Sequence, residues 1–96
     1  MYLVHVNYIQ PIEEVEKFLV AHRSFLDKYY ASGNLIVSGP RNPRIGGILL
    51  CNATSRNEVW SIIKEDPFYL NNIAEYEVIE FNPVKFAKDF EAFIRQ

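Results

Sequence analysis

Leu35-Ile-Val-Ser-Gly-Pro-Arg-Asn-Pro-Arg-Ile-Gly-Gly-Ile-Leu-Leu-Cys51 holds two apolar runs with turn residues between them. Leu35 to Ser38 and Gly47 to Cys51 have the composition of short strands. Gly39 to Arg44, with Pro40 and Pro43, has the composition of a turn. Two strands joined so directly form an antiparallel hairpin. What lies on either side of that hairpin sets the topology.

Upstream, Val15, Phe18, Leu19, His22, Phe25, Leu26 and Tyr29 recur at three- and four-residue spacing. This spacing predicts one amphipathic helix of about five turns, opened by Pro11. Ser32-Gly33-Asn34 stops it, with Gly33 as a left-handed cap. Before it, Tyr2 to Ile9 alternates and reads as a strand, with Tyr2, Val4, Val6 and Tyr8 on one side. Downstream, Ser55 and Glu58 match a capping box, and Val59, Ile62 and Ile63 form the stripe of a second helix. Pro67 disfavours helical geometry at Asp66, so that helix should end near Glu65. Ala74 to Phe81 reads as the last strand. Asn82-Pro83 then opens an expected terminal helix, with Phe86, Phe90, Phe93 and Ile94 on one side.

The order is therefore β-α-β-β-α-β plus a C-terminal helix, the ferredoxin-like α+β pattern with an antiparallel sheet. One domain is expected over 1–96, with a core over 2–82 and the terminal helix over 83–96. Two helices cover one sheet face. The other face has nothing to cover it, although Ile79 and Phe81 lie on one side of the last strand and Tyr76 and Val78 on the other. A bare apolar face calls for a second copy, so a homodimer is expected.

The 96 residues are 49% hydrophobic and 15% aromatic, with a net charge of −2, which is the composition of a globular chain. No cluster of Lys and Arg exists to bind phosphates, so a nucleic-acid partner is not expected. The longest central apolar run, Ile45 to Cys51, is too short to span a bilayer, so no membrane role is expected. Met1 to Tyr8 lacks the pattern of a signal peptide. Cys51 is the only cysteine and lies in an apolar run, which reads as packing, and a cytoplasmic setting fits. No CxxC, HExxH or phosphate-cradling glycine loop is present, and His5 and His22 fall on separate elements, so neither a metal nor an organic cofactor is expected.

Three features carry candidate chemistry. His22 sits on the apolar stripe of the first helix. It can be a core histidine with one hydrogen-bond partner, or a general acid or base, because its charge changes near neutral pH. Asp66 can be a turn residue accepting backbone N–H groups, or the carboxylate that orients His22. Ser38-Gly39-Pro40 leaves the first hairpin strand where a ligand could approach closely, and Arg41 and Arg44 follow as either solvated charges or an anion clamp.

The order of these features resembles the YciI-like (YCII-related) family over roughly residues 2–82. The features are His22, Gly33, Ser38-Gly39-Pro40, Gly46-Gly47 and Asp66-Pro67-Phe68. The resemblance implies a dimeric α+β barrel with a site centred on His22 and Asp66. It places Ser38, Gly39 and Pro40 beside the pair; Arg41 and Phe68 are added as candidate substrate contacts in the enzyme reading. Related barrels carry out isomerisation, elimination or oxygen chemistry on small, often aromatic, molecules. The chain departs from the family pattern at Tyr69 to Ile73, where a small residue and glycine are usual, and in the basic loop Arg41 to Arg44. Two functions are then in view. One is a cofactor-independent lyase or isomerase acting on a small-molecule ligand through a His22/Asp66 proton transfer. The alternative is a non-catalytic dimeric module that binds a small ligand or a protein. An enzyme needs His22 on an open cleft, whereas a module allows it to be sealed.

Overall fold

A computed structural model describes residues 1–94. Strands β1 (Tyr2–Tyr8), β2 (Leu35–Pro40), β3 (Gly46–Cys51) and β4 (Ala74–Glu80) form an antiparallel sheet in the order β2-β3-β1-β4. That is the ferredoxin-like order, with the two terminal strands paired side by side. The central hairpin runs farther than its composition suggests, since β2 extends to Pro40.

The helices are α1 (Ile12–Glu16), α2 (Leu19–Ala31), α3 (Arg56–Ile63) and α4 (Pro67–Leu70). The expected single first helix is broken at Lys17-Phe18, where Phe18 N–H bonds to the Val15 carbonyl three residues back. The break has a packing reason. Val15 and Phe25 are both buried. Ten residues apart on an unbroken helix, they would point roughly 80° from each other. The tight turn resets the phase so that both enter the core. Gly33 does take the left-handed conformation expected of it, at φ 87°. Ser55 caps α3 by accepting the Glu58 N–H. The Glu58 carboxylate does not complete a capping box; it takes the Thr54 hydroxyl and the Asn34 amide instead.

The core lies between the sheet and the helices. Tyr2, Val4, Val6, Leu49, Cys51 and Val78 fill it from the sheet, and Phe25, Val59, Ile62, Ile63 and Phe68 from above. Burial pushes the Cys51 thiol up to about 11, so it packs as an apolar group and is a poor nucleophile. On the opposite face the register places Val37, Leu50, Leu3 and Ile79 in one row across all four strands. Val37 and Ile79 at its ends are exposed.

The terminal helix is shorter than expected. Residues 82–87 are not helical, a 3-10 turn spans Lys88–Phe90, and α5 covers only Glu91–Ile94. Residues 95–96 of the expected helix lie outside the described residues. Val84 and Phe86 are exposed, so the first half of the segment has no packing to hold it helical. The second half is anchored by the Asn52 amide on the Phe93 carbonyl at 2.7 Å and by the paired rings of Phe90 and Phe93.

Gly46 makes the tightest crossing in the sheet. A Cβ there would lie 1.9 Å from the Val6 carbonyl oxygen, whereas at Gly39 it would meet nothing within 4 Å. Gly46→Ala should therefore destabilise the protein by about 3 kcal/mol or more, because only backbone can move. Gly39→Ala should change stability by less than about 1 kcal/mol. Chemical denaturation of the two variants checks the contrast.

Candidate active site

Asp66 is the polar residue the core encloses, with 0% exposure. Its position follows from the chain leaving α3 and entering α4. Pro67 takes the first helical position, and Asp66 caps that short helix by accepting the Phe68 N–H at 3.0 Å on Oδ1. The same oxygen lies 2.9 Å from Nδ1 of His22, forty-four positions away on α2. Oδ2 accepts the Tyr76 hydroxyl of β4 at 2.7 Å. A carboxylate accepts and cannot donate, so His22 carries its hydrogen on Nδ1. The other nitrogen, Nε2, is then the basic atom of the neutral ring.

The ring plane is fixed as well. His22 stacks on Phe68 with centroids 4.0 Å apart and 5° between planes, and Tyr8 meets Phe68 edge-on. Phe68 thus supplies both a backbone donor to Asp66 and a wall for the imidazole. Burial first, then the neighbouring Asp66 charge, pushes the Tyr76 phenol far upward, so it remains a hydrogen-bond donor. Outside the core, Lys28 and Tyr29 of α2 both bond Glu65, the residue before Asp66. These contacts tie α2 to the α3–α4 junction, one residue from Asp66.

The His22 side chain is 14% exposed and lines a cleft of about 500 Å³ between α2 and the sheet. The expected neighbours Ser38, Gly39, Pro40 and Phe68 line it too. Ser38 shares a hydrogen with the Tyr30 hydroxyl at 2.5 Å. Arg41 is not part of the lining. Its backbone N–H is bonded to the Gly46 carbonyl in the hairpin, and the guanidinium groups at the cleft are those of Arg44 and Arg23. Tyr76, Tyr8 and Arg23 were not read as site residues. Alternation placed Tyr76 on the same strand face as Val78. Nothing in the sequence linked it to Asp66.

Within Tyr69 to Ile73 one residue takes an unusual backbone conformation. Asn72 adopts φ 54°, the left-handed conformation that glycine takes most easily and asparagine tolerates. Ile73 then turns into the core, and its N–H bonds the Phe68 carbonyl.

The profile of the YCII-related domain matches residues 1–82. No curated protein matches the chain significantly. Among solved structures, 5-chloro-2-hydroxyhydroquinone dehydrochlorinase from Burkholderia phenoliruptrix AC1100, in complex with 2,5-dihydroxybenzoquinone, is similar at a TM-score of 0.70. The two are 21% identical, over 85% of this chain and 94% of that one. At that identity the likeness is one of fold. No helix among the described residues is long and apolar enough to cross a membrane.

Each partner of Asp66 can be tested separately. Tyr76→Phe should cost about 1–2 kcal/mol of stability, because Oδ2 loses its donor inside the core. Asp66→Asn should let the neutral His22 ring populate both tautomers. Nitrogen NMR of the imidazole reads this directly: the native ring should be Nδ1–H, and an Nε2–H native ring would contradict the assignment.

Proposed function

The chain belongs to the YCII-related domain family, and we propose that it is a small-molecule enzyme in which His22 moves a proton. The observation that carries the reading is a fully buried carboxylate bonded at 2.9 Å to a cleft-lining histidine. A sealed ionic group costs several kcal/mol unless it is well paired. A core histidine needs no such partner. A histidine that must accept and return a proton does, because the carboxylate fixes the tautomer and stabilises the imidazolium while it lasts.

The chemistry follows from one free nitrogen above an apolar floor. Nε2 takes a proton from a carbon or hydroxyl of a small, aromatic or quinone-like substrate. Returning it to a different atom gives an isomerisation. Loss of a leaving group from the adjacent carbon, with its bonding electrons, gives an elimination. The similar structure is that of an enzyme named as a dehydrochlorinase, which supports elimination as the first class to examine. His22 lines an open cleft, which favours this reading over a binding module with a sealed core histidine.

The reading is tested by following deuterium exchange and chloride release with a panel of small hydroxyquinones and their chlorinated forms. His22→Gln should fold normally and lose about 10²–10⁴-fold in kcat/KM. Activity that survives that substitution unchanged would sink the proposal.

The homodimer is part of the same proposal. The row of Val37, Leu50, Leu3 and Ile79 is the surface that a second copy would cover. The native protein should sediment at twice its 11.2 kDa chain mass, and Leu50→Glu should yield folded monomer. A native monomer at micromolar concentration would rule the dimer out.

A further inference from the structure

We infer that the molecule received by the cleft is a small planar anion, whose carboxylate or equivalent oxyanion is held at the mouth by Arg23 and Arg44. This deepens the active-site reading, and it rests on that reading only for the claim that His22 then acts on the bound molecule.

Charge around the cleft is one-sided. Arg23 and Arg44 line it, and no Asp or Glu does. Of the carboxylates close to it, Asp66 is sealed and already accepts from three donors, and Glu16 stands outside the lining, 3.6 Å from Arg44. The chain as a whole carries a net charge of −2, so a cleft whose fixed charges are all cationic runs against its composition. Walls of low dielectric focus such a field on an entering ligand.

Both arginines are available. Among the described residues, the Arg23 side chain has no ion-pair or hydrogen-bond partner. Arg44 faces Glu16 at 3.6 Å, with both side chains about half exposed. That distance is beyond hydrogen-bond contact, and such surface pairs are easily exchanged. Arg23 follows His22 by one position on α2, so its side chain leaves the helix roughly 100° around from the imidazole. The guanidinium therefore borders the mouth while the ring reaches inward. A guanidinium fork matches the two oxygens of a carboxylate.

The rest of the wall selects the body of the ligand. Leu19, Leu26, Leu49 and Phe68 are apolar, and the volume of about 500 Å³ is that of a small-molecule site. An anion with a flat apolar body satisfies both halves. A neutral analogue leaves the arginines without a partner, and a cationic one meets repulsion.

Benzoate, benzamide and benzylamine are matched probes of this selection. Each would be titrated into the native protein while NMR follows the Arg23 side-chain N–H, the Phe68 amide and the His22 ring. Benzoate should saturate with shifts at all three, and benzamide should bind at least about tenfold more weakly. Benzylamine should not bind. Arg23→Gln and Arg44→Gln should each weaken benzoate by about tenfold and leave benzamide unchanged. Both side chains are exposed, so neither change threatens folding. Equal binding of benzoate and benzamide would overturn the inference. So would benzoate binding unaffected in the double variant, or no cleft shift with millimolar benzoate. The outcome is separable from that of the enzyme reading. Charge selection can hold while His22→Gln leaves turnover intact, and it can fail while His22→Gln abolishes turnover.

Discussion

A carboxylate without contact to water depends on the groups that surround it, and here those groups come from three parts of the fold. His22 arrives from α2, the Phe68 N–H from α4 and the Tyr76 hydroxyl from β4. Burying Asp66 charged costs several kcal/mol before any partner is counted. The three donors offset that cost only when helix, turn and edge strand are all in place. The polar centre is therefore a point of assembly for the fold. An error in the position of any one element leaves a buried acceptor unsatisfied, which is among the more expensive faults a small domain can carry.

The parts of this arrangement that lie close in sequence were legible, and the parts that depend on long-range geometry were not. Strand alternation, Gly33 and Ser55 are local signals, and each gave its element; Pro67 gave the end of α3 but not the short α4 that it opens. The break at Lys17-Phe18 was not legible, because periodicity reports spacing along a helix and not whether both ends can face one core. The terminal helix failed for a related reason. Phe86 has the right spacing from Phe90, yet it and Val84 stay exposed, and spacing without burial does not hold a helix. Arg41 and Arg44 looked equivalent in the loop. The hairpin turn directs one to the cleft and leaves the other outside, a matter of side-chain direction that composition does not carry.

For His22 and Asp66, the resemblance to a family named two residues that the periodicities alone left ambiguous. The structure adds what surrounds them: the stack on Phe68, the third donor at Tyr76, and the two bonds to Glu65 beside Asp66. The missing glycine before β4 is a smaller instance. The backbone needed a left-handed residue, and Asn72 meets that need at a modest conformational cost.

The contact of Gly46 with Val6 bears on how the lip of the cleft can change over evolutionary time. The hairpin is clamped at its base by backbone alone: Arg41 N–H to Gly46 O at 2.8 Å, Tyr8 N–H to Ile45 O at 3.0 Å, and the close approach at Gly46. None of these uses a side chain of residues 41–45. The loop can therefore trade its charges without disturbing the frame that carries it. Its basic character here is a free variable of the scaffold, open to adjustment by selection on whatever passes beneath it.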